Sequence, residues 1–234
     1  MSTKSVRHSF SENIEFSPKD VVKITASYGI KQEYAVDRKI VSVSSSVLRE
    51  RLSSNSTKEI SFDWIIAIDL KIYLNWLYSG VLRIVEEGES DEDYNLVDGY
   101  ILGLGLDDQK YCDAIIDAFY AKAQELRDKN PQYLPDTSCL GRAFQNEINV
   151  KKGQGSTEIL QRALVDIYAQ ADDPQRVYEV LEDGEDIPSE FKNLLIRRLM
   201  EDRKKLSTAQ LQQRGGGEVG SGGEEQARKR VREE

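Results

Sequence analysis

One histidine, His8, and two cysteines, Cys112 and Cys139, are the only side chains in this 234-residue sequence suited to imidazole or thiolate chemistry. His8 sits in a polar N-terminal stretch and reads as a solvated terminal residue. Acid–base catalysis and metal centres that depend on histidine are left without their residue. The cysteines form no C-x-x-C pair, which argues against a disulfide framework or a Cys-rich zinc site and fits a reducing compartment. Carboxylates are abundant but scattered, and a pair carries meaning only where a fold brings it into a pocket. The acidic run at 86–93 lacks the alternating oxygen ligands and central glycine of an EF-hand loop, so it reads as a solvated loop. Gly103-Leu104-Gly105 falls in and at the end of a helical pattern, not on a strand-to-helix phosphate turn, and reads as helix packing and termination. These residues predict no catalytic, metal or cofactor site, and no enzyme.

The charge balance points the same way. A net charge of -9 and a pI near 4.9 disfavour a phosphate-binding surface, because nucleic-acid affinity comes largely from Lys and Arg displacing counterions. Arg228-Lys229-Arg230-Val231-Arg232 is a basic cluster of the kind that serves as a nuclear import signal. The flanking Glu224-Glu225 and Glu233-Glu234 weaken its field over a Debye length of about 8 Å, and a solvated tail is the favoured reading. No aromatic residue is interleaved to stack on bases. No run reaches the roughly 18 apolar residues of a membrane span, and the Ser-rich start lacks a secretory signal. The expectation is an intracellular protein, cytoplasmic or nuclear, whose partners are proteins and neither membranes nor nucleic acids.

The elements follow from periodicity. Val22, Ile24, Ala26 and Tyr28 alternate with polar residues, Gly29 permits a turn, and Tyr34 with Val36 resumes the alternation, which predicts a β-hairpin. The stretch 40–52, broken by Ser44-Ser45-Ser46, predicts two short helices with a serine capping the second. Ile60 and Phe62 frame a short strand. Asp63 is then the expected N-cap of a helix over 64–78 that is apolar nearly all round and must be covered on more than one side. Gly80 ends it, and 81–85 reads as an edge strand. Leu96, Val97, Tyr100, Ile101 and Leu104 mark one amphipathic helix; Tyr111, Ile115, Ile116 and Phe119 mark the next.

Pro131 and Pro135 mark a boundary, beyond which three helices are expected. The first has Ile159, Leu160, Ala163, Leu164, Ile167 and Tyr168 inward. The second opens at Pro174 with Asp173 as N-cap, and the third runs from Pro188 with Phe191, Leu194, Leu195 and Leu199 on one side. After Leu206 a Gly-rich charged stretch predicts disorder. The division expected is a flexible start at 1–19, a domain at 20–126, a helical region at 127–206 and a disordered tail at 207–234.

The order and motifs resemble the BTB/POZ domain. Tyr34-Ala35-Val36-Asp37-Arg38-Lys39-Ile40-Val41 stands where that family has F-x-V-H-K-x-x-L, and Ser44-Ser45-Ser46-Val47-Leu48-Arg49 where it has S-x-x-F-R. Tyr73-Leu74-Asn75-Trp76-Leu77-Tyr78-Ser79-Gly80 is similar to W-L-Y-T-G. Tyr100-Ile101-Leu102-Gly103 with Leu106, and Asp113-Ala114-Ile115-Ile116-Asp117-Ala118, resemble the versions typical of filamentous fungi. The resemblance implies an α+β, predominantly helical fold, a small sheet packed on a helix cluster, followed here by C-terminal α-helices. It implies protein–protein association, with itself or with other chains, and no cofactor.

A substrate adaptor of a cullin-type ubiquitin ligase is the alternative, and a transcription-related regulator a weaker one. Such adaptors often carry an apolar residue and a Glu in the linker where this chain has Ser53-Ser54-Asn55-Ser56-Thr57-Lys58-Glu59. Trp64 and Tyr73 are the candidate interface aromatics, since aromatics concentrate in binding hot spots. Phe10, Ile14 and Phe16 are the N-terminal candidates, because some family members exchange an N-terminal strand and helix between subunits.

Overall fold

A computed structural model describes residues 7–9, 20–85, 92–131, 133–144, 156–171, 173–183 and 187–215. It divides into two compact units, Met1–Leu195 and Ile196–Glu234. The described part of the first is predominantly helical around a three-stranded sheet, an α+β arrangement. Among the described residues no helix is long and apolar enough to cross a membrane.

The sheet is built from β2 (Val21–Tyr28), β3 (Gln32–Asp37) and β4 (Glu59–Ile66) in the order β3-β2-β4. β2 and β3 form the expected antiparallel hairpin, with Val22 opposite Val36 and Ile24 opposite Tyr34. Gly29 takes a left-handed φ of 76°, the conformation that favours glycine in a tight turn. Val22, Ile24 and Ala26 are fully buried, as the alternation predicts; Tyr28 is not, because the ladder to β4 shifts register between Ala26 and Tyr28.

β4 runs parallel to β2, so the chain must cross over between them. The crossover is α1 (Arg38–Ser44) and α2 (Ser46–Arg51). Asp37 caps α1 by accepting from the Lys39 N–H at 2.8 Å, and Ser45 caps α2 by accepting from the Leu48 N–H at 3.0 Å.

The strand reaches further than the sequence indicates. Asp63 caps nothing: it lies exposed in β4, which continues through Trp64, Ile65 and Ile66. The reason is the buried Ile65 and the pairing of Ile66 with Tyr28, contacts that outweigh an early helix start. The helix α3 therefore begins at Ala67 and ends at Ser79, with Gly80 as a left-handed C-cap. Leu70, Ile72, Tyr73 and Leu74 are buried, and the helix packs against β2, β4 and α1. It is central, as an all-round apolar helix must be.

β5 (Leu82–Val85) pairs in parallel with β1 (Arg7–Ser9), so three residues of the expected flexible start, including His8, form a strand. α4 (Glu92–Gly105) and α5 (Gln109–Lys129) follow as predicted and pack tightly. A Cβ at Gly103 would stand 2.7 Å from Cys112 Sγ, and one at Gly99 would stand 2.9 Å from Ile115 Cδ1, so these glycines let the two helices approach.

Beyond Pro131 lie α6 (Thr137–Phe144), α7 (Glu158–Ala169), α8 (Pro174–Asp183) and α9 (Ser189–Gly215). Asp173 caps α8 through the Gln175 and Arg176 N–H groups. Phe191 meets Phe144 and Tyr168 edge-on, at ring distances of 5.5 and 5.1 Å, and joins α6, α7 and the first turns of α9 into the same core. Ile159 and Leu199, expected inward, are exposed. α9 also continues past Leu206 to Gly215, through residues 207–215 that composition assigns to the disordered tail, because Ala209, Gln210, Leu211, Gln212 and Gln213 favour a helix.

Candidate interaction surface

Trp64 is the candidate aromatic that faces outward. β4 lies at an edge of the sheet, and Trp64 is 41% exposed on it. Its ring meets Phe62 edge-on at 5.9 Å and rests against Gly105 at the end of α4, where an added Cβ would stand 2.8 Å from ring carbon Cζ3. A large aromatic held in place on two sides loses little conformational entropy on binding. The strand edge beside it is partly covered. Arg51 donates to the Ser61 carbonyl at 3.1 Å and sits 4.4 Å from the centre of the Phe62 ring.

Tyr73 faces inward. It is fully buried on α3, on the side that meets Asp108 and Tyr111. Its hydroxyl donates to Asp108 at 2.8 Å, and its ring packs edge-on against Tyr111 at 4.9 Å. Asp108 is itself buried, caps α5 through the Tyr111 N–H and accepts from Ser44 Oγ at 2.6 Å. Ser45 Oγ donates to the Leu106 carbonyl, and Ser46 Oγ to the Asp107 carboxylate. All three serines of the Ser44–Ser46 run thus bind the turn between α4 and α5, where Asp107 takes a positive φ of 51°. The capping role of one serine is legible in the sequence; the clamp formed by three is not.

A second polar centre holds the crossover. Arg38 is buried, and its guanidinium donates to the carbonyls of Leu52, Ser54 and Thr57 and to Asp20 at 2.8 Å. The linker 53–59 is therefore wrapped around an arginine. Hydrogen bonds from Lys58 and Arg38 hold the Asp20 carboxyl below its usual range. Asp37, next to Arg38, is occupied as the cap of α1, accepting from the Lys39 N–H.

Two more buried charges tie α4 to its neighbours. Lys122 on α5 pairs with Asp93 at 2.7 Å, and Asp93 also accepts from Tyr133 and the Asp136 N–H. Arg142 on α6 pairs with Asp98 at 2.8 Å. Asp69 on α3 is buried near this pair; burial pushes its carboxyl up to about 7, Asp98 adds to the rise and Arg142 opposes it. Both cysteines are free and buried, and burial pushes the Cys112 thiol up to about 12. Among the described residues no group of three or more His, Cys, Asp or Glu side chains is placed to hold a metal ion.

Phe10, Ile14 and Phe16, the basic cluster at 228–232 and most of the acidic run lie outside the described residues. What the arrangement offers is contact surface: an exposed, fixed Trp64, an N-terminal strand added to β5, and an exposed stretch of α9 carrying Ile196, Leu199, Met200 and Leu206. No protein-family model matches this chain, and no curated protein matches it in sequence.

Proposed function

We propose that this chain is a BTB/POZ-type interaction module that works by associating with a second copy of itself. Support comes from the ordered motifs and from a small sheet packed on helices in the order the motifs imply. The observation that carries self-association is the pairing of β1 with β5. A three-residue strand, joined to the body through residues 10–19, completes a ladder on β5, a strand far along the chain from it. The same ladder forms equally well when the strand comes from another copy, and exchange of an identical element is a low-cost route to dimers. Association of this kind needs no catalytic group.

Light scattering on the full chain and on a chain lacking residues 1–19 tests this. The full chain should have the mass of a dimer at micromolar concentration, and the shortened chain that of a monomer with unchanged helix content. A strict monomer for the full chain across that range overturns the reading.

A further inference from the structure

The character of α9 changes at Ile196. Phe191 and Leu195 are fully buried, but Ile196, Leu199, Met200 and Leu206 are 36–65% exposed. At 100° per residue these four, with Arg203 among them, fall within about a third of the helix circumference, and Arg197 and Lys204 lie along its border. Of the acids of this stretch, Glu201 lies on another face, and Asp202, along the opposite border, is taken by Arg198 at 2.5 Å and Lys205 at 3.7 Å. Arg197, Arg203 and Lys204 form no ion pair among the described residues. The stripe is therefore apolar and cationic together, and its occupant must bring apolar surface and carboxylates. Two such stripes cannot serve each other, since pairing them would set cations against cations.

The complementary surface is on the chain itself. α5 presents Asp113, Asp117, Tyr120, Gln124 and Asp128 on one exposed face, with Lys110 at its N-terminal end and Arg127, which donates to the Ile167 carbonyl, along its border. Tyr120 is 38% exposed between the carboxylates. From Asp113 to Gln124 this face is ~16 Å long and from Ile196 to Leu206 the stripe is ~15 Å, at 1.5 Å per residue. A net charge of -9 sets the chain as a whole against anionic phosphate surfaces, which leaves an acidic protein face as the better match.

We infer that α9 of one copy docks on the α5 face of a second copy, with Leu199 and Met200 against Tyr120, and Arg203 and Lys204 against Asp113 and Asp117. This deepens the proposed self-association by naming a surface, and it does not depend on strand exchange at β5.

The test is a charge swap in the full chain, read by light scattering and sedimentation at low and high salt. R203E/K204E and D113K/D117K should each raise the dissociation constant about tenfold or more, and the four substitutions together should bring it back to within about threefold of the parent. Salt should weaken association of the parent. Circular dichroism checks that each variant keeps its helix content. Association that neither pair alters overturns the docking while leaving self-association through residues 1–19 intact. A fourfold variant no better than the two doubles also overturns the docking. A parent that stays monomeric overturns both readings, and a monomer that binds phosphatidylserine vesicles through Arg203 and Lys204 reassigns the stripe to a lipid surface.

Discussion

Trp64 and Gly105 share one space: the indole of the edge strand occupies the volume that a side chain at the end of α4 would need. The glycine is fixed by its neighbour, since its φ is not among the positive ones. Gly105→Ala should destabilise the protein by about 1–3 kcal/mol through overpacking. Trp64→Ala should relieve that cost in the double variant. Urea midpoints for the two single variants and the double one give the coupling, and additive effects would contradict the contact.

Stability should fall as pH rises toward neutrality through Asp69. Its carboxyl titrates near 7 in the folded protein, above the unfolded value of 3.8, so the folded state holds the proton more tightly. The contribution is fully present below the unfolded value and is lost as pH climbs through about 7. Three pK steps correspond to about 4 kcal/mol as an upper figure. Asp69→Asn should therefore stabilise the protein at pH 8 relative to the parent, with the advantage vanishing near pH 4. Denaturation curves of both proteins across that range would show a constant difference if Asp69 were not the cause.

Arg38 should tolerate no substitute. Arg38→Lys keeps the charge but cannot reach three carbonyls and Asp20 at once, and Arg38→Met removes every donor. Both should cost about 2–4 kcal/mol, because buried acceptors lose their partner. Amide exchange should quicken at residues 52–57 in each. Protection unchanged there would mean the linker is held by something else.

Lys122→Met should be costly in a different way. It leaves the buried Asp93 carboxylate with only Tyr133 and a backbone N–H, and breaking a buried pair from one side costs about 3–5 kcal/mol. Lys122→Met with Asp93→Leu should recover part of the loss. Thermal unfolding of the two variants measures it.

How far the sequence foretold this structure depends on whether local periodicity was unambiguous. The hairpin, α4 and α5 were legible because their apolar residues satisfy only one period. The run Trp64-Ile65-Ile66 satisfies both, and tertiary pairing with β2 decided for strand. That single boundary put Trp64 on a strand at the sheet edge and not on a helix. α6 puts Cys139, Leu140, Ala143 and Phe144 on one buried side, but at eight residues with Gly141 in its middle it is too short for that period to stand out. Arg38 and the Ser44–Ser46 clamp bind partners up to 64 residues away, which no spacing rule reveals.

The parallel ladder between β2 and β4 also sets an order of assembly. A hairpin such as β2–β3 closes on its own in microseconds, on the order of 1–10 μs. β4 can join only after the chain between has been gathered into α1 and α2, and the loop entropy of that gathering comes before any ladder bond rewards it. Arg38 lies at the start of that crossover and grips its far end at Leu52, Ser54 and Thr57. The arginine that holds the finished linker is thus placed to bring β4 alongside β2, and its substitution should slow refolding as well as lower stability.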